Sequence, residues 1–472
     1  MAQLSEMTRK AQALKAEGRH AEAVDMLKAM VDAAPHNIAV LHNYAAALGD
    51  AGQNREAVRI LRRAFELGLN APESWLVYAR ALSGIHEFKE AQAAFLQLLR
   101  LRPLDHEAHR ELAQLIWMQT GNRDKALAVL NKAIEANPSV AGLHIARAQV
   151  FGQTGDAATE YAITKEAARL SGDPMLEFAA CNAALADKKF EQAVAHGRRA
   201  AKALPDETGA GAAYCSALLA VGEAAEAVRI AEGLRAKDPM NQFFIALQAT
   251  AWRLLGDERY HAFFDYDALV QASPLDTPKG WINLDAYLAD LIEGLDYAHR
   301  FKTHPFYQSV RHGSQISSID GSDHPALRAY KEAAAGPVER YVKSLAPGDD
   351  PLRARNIGGS RIFSTWSIRL PPKGFHVNHV HPEGWLSSAC HLRPAEKDPA
   401  SEKAGWFKLG EPGVATAPSL EPERFIEPKP GVMVIFPSYM WHGTVEFTAG
   451  NSRLTVAADI VPAAPDAGTG QK

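Results

Sequence analysis

Apolar residues in the first half of the chain recur with a helical period, and the pattern is punctuated at a fixed interval. Leu41, Tyr44, Ala45, Leu48, Ala57, Leu61 and Ala64 fall on the faces that pack one helix against the next. Small residues at 45, 57 and 64 permit close helix approach. The alanine of the second helix returns at Ala23, Ala57, Ala91, Ala126, Ala193 and Ala227, with Glu160 in phase in the one gap. The steps are 34, 34, 35, 34, 33 and 34 residues. Gly18, Gly52, Gly121, Gly155 and Gly222 stand five residues before the anchor, where the turn between paired helices profits from a positive φ. Pro35, Pro103, Pro138, Pro205 and Pro239 stand twelve residues after it. No single unit could bury its apolar face alone, so such an array is stable only by stacking. The period predicts about seven helix pairs over residues 1–257.

The punctuation stops near residue 257. Residues 258–300 read as a connecting helical segment, with Pro and Gly near 274–280 and an amphipathic run from Leu284 to His299. From 301 to 463 the pattern changes again. One helix is expected near 324–345. After it, RIFSTWSIRL, GFHVNHVH, WLSSACHL, GVMVIFPS, GTVEFT and RLTVAADIV are short β-like runs split by Pro and Gly. That many short strands predict a sandwich or barrel of the jelly-roll type. Residues 464–472 read as a disordered tail. The expected fold is therefore α + β and multidomain: an all-α solenoid, then a β domain with flanking helices.

The candidate chemistry is concentrated between Gly374 and Arg453. His379 and His381 are two residues apart, so on a strand their side chains share one face and can grip one metal. His442 follows the strand-like run that begins after Gly431 and ends at Pro437. Two ligands plus one leave coordination positions open. Arg453 and Thr455 are again two apart, and a guanidinium beside a hydroxyl suits a carboxylate. A buried Arg needs a partner, because an unpaired buried charge is costly. No catalytic residue beyond the metal ligands is expected.

The 34-residue array resembles the tetratricopeptide (TPR) repeat. HPFYQSVRHGSQ, STWSIRL, GFHVNHVHPEGWLSS, FPSYMWHGTV and SRLTVAADIVP resemble the 2-oxoglutarate/Fe(II) oxygenase domain found fused to TPR repeats in bacteria. The resemblance implies a double-stranded β-helix, Fe(II), 2-oxoglutarate as cosubstrate and dioxygen. It puts His379, His381 and His442 at the metal and Arg453, assisted by Thr455, at the far carboxylate of the cosubstrate. The widespread triad of such enzymes is two histidines and one carboxylate. Here His381 stands where the acid is usual, so either three histidines bind the metal, or His381 is not a ligand and the site has two, with Glu383 able to supply an oxygen. His376, Ser367, Arg369 and His391 are candidates to line the pocket or support the ligands.

The resemblance implies an oxygenase that hydroxylates a protein or peptide bound by the array. Two other readings stand beside it: a cupin-type three-histidine metal enzyme or sensor, and a TPR interaction scaffold with a degenerate oxygenase domain. The array would also serve a homodimer. The formal net charge of −4 gives no reason to expect nucleic acid, and no apolar run approaches the ~20 residues a membrane span requires. Cys181, Cys215 and Cys390 lie far apart and read as free thiols in a reducing, cytoplasmic compartment.

Overall fold

The computed structural model describes residues 2–16, 19–396 and 401–464. Gly18 and nearly all of the 464–472 tail lie outside these. Contacts divide the chain into two compact units, Met1–Arg147 with Ser318–Arg328, and Ala148–Ser317 with Ala329–Lys472.

The first unit is built of helix pairs, beginning Ala2–Ala16 and His20–Ala33, then Ile38–Asp50 and Asn54–Glu66. The second unit opens with the same construction, ending in Thr208–Ala220 with Ala224–Lys237 and a last helix Gln242–Leu255. Every anchor alanine of the 34-residue period is buried on the second helix of its pair. Asn37, Asp105, Asp156, Asp173 and Asn241 cap helix N-termini by accepting from main-chain N–H groups. Gly52, Gly121, Gly155 and Gly222 adopt the expected positive φ. In the two pairs without a glycine, His86 (φ 65°) and Lys188 (φ 57°) hold the same turn position and carry its steric cost. Glu160, standing at an alanine position, is accommodated because Gly152 opposite it has no Cβ. Burial drives the Glu160 carboxyl up to about 7.

The β region of the second unit has eleven strands among the described residues: β1 (Gln271–Pro274), β2 (Val310–Arg311), β3 (Ser314–Ile316), β4 (Gly359–Leu370), β5 (Phe375–His376), β6 (Leu386–Arg393), β7 (Phe407–Leu409), β8 (Arg424–Ile426), β9 (Val432–Pro437), β10 (His442–Thr444) and β11 (Arg453–Ala463). A six-stranded sheet runs β1-β9-β6-β11-β4-β3, a three-stranded sheet β10-β7-β8, and β2 pairs with β5. All pairings are antiparallel. β1 comes from the segment read as a connection, which thus supplies an edge strand to the main sheet. The helix expected near 324–345 is two, Pro325–Arg328 and Tyr330–Ser344, with Pro337 inside the second.

The last helix of the array packs directly on the β region. Trp441, one residue before His442, buries its ring beside Phe243, Ala246 and Val380. Its indole N–H donates to Thr250 Oγ1 at 2.9 Å. Trp441→Ala removes both the packing and that bond. It should cost about 3–5 kcal/mol, read as a lowered denaturation midpoint for the second unit. A change below about 1 kcal/mol would mean that this helix does not support the strand.

Candidate metal and carboxylate site

β11 sets the floor of the site. Arg453, Thr455, Ala457 and Asp459 alternate onto one face, ahead of a register shift between Asp459 and Ile460. Their partners on β4 are Leu370, Ile368, Trp366 and Ser364. On β6, His391, Ala389 and Ser387 lie opposite Thr455, Ala457 and Asp459.

The histidines arrive on a different segment. GFHVNHVH was expected as a strand, but regular pairing covers only β5, and residues 377–381 continue outside any strand, with a bend at Asn378. The segment is held by an isolated bridge in which His379 N–H donates to His442 O (2.9 Å) and His442 N–H to His379 O (3.1 Å). The rings of His379 and His442 are 4.1 Å apart, and those of His379 and His381 are 5.2 Å apart. One nitrogen from each of His379, His381 and His442 lies within 4.8 Å of the other two.

The tautomers follow from the other ring nitrogens. His379 Nδ1 meets Val377 O at 2.8 Å, His442 Nδ1 meets Met440 O at 3.0 Å, and His381 Nδ1 meets Asp459 Oδ1. Each acceptor takes the Nδ1 proton, so each Nε2 keeps a lone pair for the common point. Burial and neighbouring imidazoles push His379 down to about 3, and hold His442 and His376 well below the usual histidine range. Three imidazoles with converging nitrogens are a donor set that suits a divalent transition metal.

These residues line one small cavity, about 40 Å³, together with Arg453, Thr455, Phe407 and Phe436. Arg453 is only 2% exposed. Its guanidinium donates to Thr444 Oγ1 (3.3 Å) and to His391 Nδ1 (3.1 Å), both neutral acceptors. Burial pushes it down to about 10, so it remains a cation. Among the described residues no carboxylate pairs with it. Arg453 Nε, Thr455 Oγ1 and His391 Nε2 are buried with no hydrogen-bond partner. A buried cation with an unmet donor is chemically suited to receive a carboxylate.

The remaining candidates separate by strand face. His391 supports Arg453 from β6, whereas Cys390 points the other way and burial drives its thiol up to about 12. His376 stacks on His379 with its Nδ1 bonded to Ser309 Oγ. Ser367 and Arg369 lie on the far side of β4. Ser367 bonds His299 Nε2 and Thr455 O, and Arg369 bonds His299 O. The register with β11 turns Trp366 and Ile368 into the cavity instead. Glu383 is exposed on the rim of an outer cleft and stands apart from the three-histidine cluster.

That cleft, about 720 Å³, opens onto His379 and His381 and is walled by Gln153, Tyr307, Gln308, Gln315 and Ser364. Gln153 comes from a repeat helix, and its Oε1 accepts Tyr307 N–H at 2.6 Å. Asp459 is the residue the sequence reading missed. Its signal was a lone acid in an apolar strand, six residues past Arg453 and in step with it.

His304, buried beside Gln153 O, is pushed down to about 4 by burial and by Arg311. Like His379, it stays neutral when folded but takes up a proton when unfolded below about pH 6.5. Folded pKa values lie below unfolded ones, so this stability is complete above about pH 6.5 and is lost as pH falls toward 4. The metal-free protein should lose roughly 2 kcal/mol per such histidine by about pH 5. Melting temperatures across that range test this, and a flat profile would contradict it.

Residues 364–459 match the family described as "Putative 2OG-Fe(II) oxygenase". Residues 14–81 and 115–140 match tetratricopeptide repeat families. No curated protein matches the chain. Among solved structures, it is similar to a tetratricopeptide repeat protein from Parabacteroides merdae (18% identity, 52% of this chain and 98% of that one, TM-score 0.37). It is also similar to MamA (19% identity, 34% of this chain and 92% of that one, TM-score 0.28). The family models thus place tetratricopeptide repeats in the N-terminal part of the chain and a "Putative 2OG-Fe(II) oxygenase" domain in its C-terminal part.

Proposed function

We propose that this chain is a 2-oxoglutarate- and Fe(II)-dependent dioxygenase that hydroxylates a protein or peptide recruited by the repeat array. One observation carries the reading: three converging imidazoles share a cavity with a buried cation that pairs with no carboxylate among the described residues. His379, His381 and His442 would hold the iron. Arg453 and Thr455, with their unmet hydrogen-bonding atoms, would hold the far carboxylate of 2-oxoglutarate. Bound iron with dioxygen and 2-oxoglutarate supplies the oxidising power, so that substrate C–H becomes C–OH while 2-oxoglutarate becomes succinate and carbon dioxide. The chain's own part is to orient and to exclude water. Phe407 and Phe436 wall the cavity with apolar surface, and Trp366 stands between cavity and cleft.

The outer cleft supports the choice of substrate. Its carboxamides and hydroxyls match the paired donors and acceptors of a polypeptide. Its Arg311 is engaged by the carbonyls of Gln308 and Val310 and is not set out for a phosphate. Gln153 brings the repeat array into the wall of that cleft. A jelly-roll barrel for the β domain, boundaries at 257, 300 and 463, and a cytoplasmic location belong to the same proposal.

The three-imidazole donor set also favours a cupin-type metal enzyme or sensor. That reading leaves Arg453 without a purpose, since such a site is indifferent to 2-oxoglutarate. Anaerobic addition of Fe(II) and then 2-oxoglutarate separates the two. The oxygenase reading expects a weak visible charge-transfer band that disappears in His442→Ala and in Arg453→Met. Metal binding without a band would favour the cupin reading, and no metal binding a degenerate scaffold.

Arg453→Met should leave the melting temperature of the metal-free protein unchanged or raised, because an isolated buried cation is costly. The same variant should abolish the stabilisation that 2-oxoglutarate gives the Mn(II)-loaded wild type. A melting temperature lowered by many degrees in the metal-free variant would make Arg453 a structural residue.

A further inference from the structure

The three imidazoles are not equivalent in what stands behind them. His379 and His442 each give their Nδ1 proton to a main-chain carbonyl, Val377 O and Met440 O, which are neutral acceptors. His381 alone is backed by a carboxylate, with Nδ1 at 2.5 Å from Asp459 Oδ1. Asp459 is itself held. Ser387 Oγ donates to Asp459 Oδ1 at 3.0 Å and lies 2.9 Å from Ser438 Oγ. His381 N–H donates to Ser438 O at 3.1 Å, which closes a ring of four residues. Trp366 packs against the His381 ring, centroids 5.4 Å apart. Both partners are largely shielded, with side chains 12% and 20% exposed.

This ring stands at the position where the usual donor set has its acid. We infer that Asp459 is a positioning residue that returns the missing negative charge to the metal site through His381. The carboxylate fixes His381 as the Nδ1–H tautomer and makes its Nε2 more basic, so His381 is the strongest donor of the three. The charge reaches the metal at one remove, and three imidazoles plus Asp459 then balance a divalent ion as two imidazoles plus a carboxylate do. Glu383, exposed at the rim, is not needed for this. The inference rests on the proposed metal site but not on 2-oxoglutarate.

The experiment is an anaerobic Co(II) titration of the full chain, followed by its d–d absorption spectrum, for wild type and Asp459→Asn, Asp459→Ala and Asp459→Glu. Asp459→Asn keeps a hydrogen-bond acceptor and removes the charge. It should weaken Co(II) binding roughly 10- to 100-fold and shift the d–d bands, while the melting temperature of the metal-free protein stays at the wild-type value. Asp459→Glu should recover part of the affinity, and Asp459→Ala should be no better than Asp459→Asn. Wild-type affinity and spectrum in Asp459→Asn would overturn the inference. So would a loss of affinity that only tracks a lowered melting temperature and is not recovered by Glu. Wild type binding Co(II) without a subsequent Fe(II)–2-oxoglutarate band would sink the oxygenase reading and leave the Asp459 comparison intact. No Co(II) binding by wild type would overturn both.

Discussion

Two main-chain hydrogen bonds between His379 and His442 are the constraint on which the site depends. They join a segment that lies outside any strand to the first residue of β10. Because the two residues face each other across an antiparallel bridge, their rings are brought to 4.1 Å. His381, two residues on, follows onto the same side. Everything behind that bridge serves to hold it. Trp441, the residue before His442, is anchored to the last repeat helix, and Ser438 fixes the backbone of His381.

Charge is distributed in this domain with economy. His379 and His442 are kept neutral by burial and by neighbouring imidazoles, which leaves their lone pairs free. Arg453 is the cavity's cation, supported by neutral His391 and Thr444. Asp459 is the nearby anion, and it faces His381 rather than Arg453. Had Asp459 and Arg453 been neighbours on β11, they would have neutralised each other. Six residues of strand keep them apart and leave each with different partners, His391 and Thr444 for Arg453 and His381 for Asp459.

The repeat array was legible almost completely, because its signal is local. A helix pair closes its own hydrogen bonds within about 34 residues, and the period survives even where single positions change. His86 and Lys188 show that the turn's conformation is imposed by the stack and not by glycine alone. Glu160 is legible as an exception only once Gly152 is seen opposite it. The site was legible in part. H-x-H, the later histidine and R-x-T announce themselves by type and spacing. Ser367 and Arg369 were chosen on the correct strand but on the wrong face, since alternation defines two faces and does not say which looks inward.

Sequence alone thus determined the helical period, the α + β division of the chain and the residue types able to meet a metal and a carboxylate. These are properties of short stretches, set by backbone propensity and side-chain chemistry. Only the tertiary structure decided that Trp366 faces the cavity, that β1 leaves the connecting segment to join the sheet, and that Asp459 stands behind His381. Each of those follows from pairing between residues distant in the chain: Ala457 with Trp366, Gln271 with Ile435, Asp459 with Ser387. Register over such distances is chosen by the summed burial of whole strands, and no local pattern carries that sum.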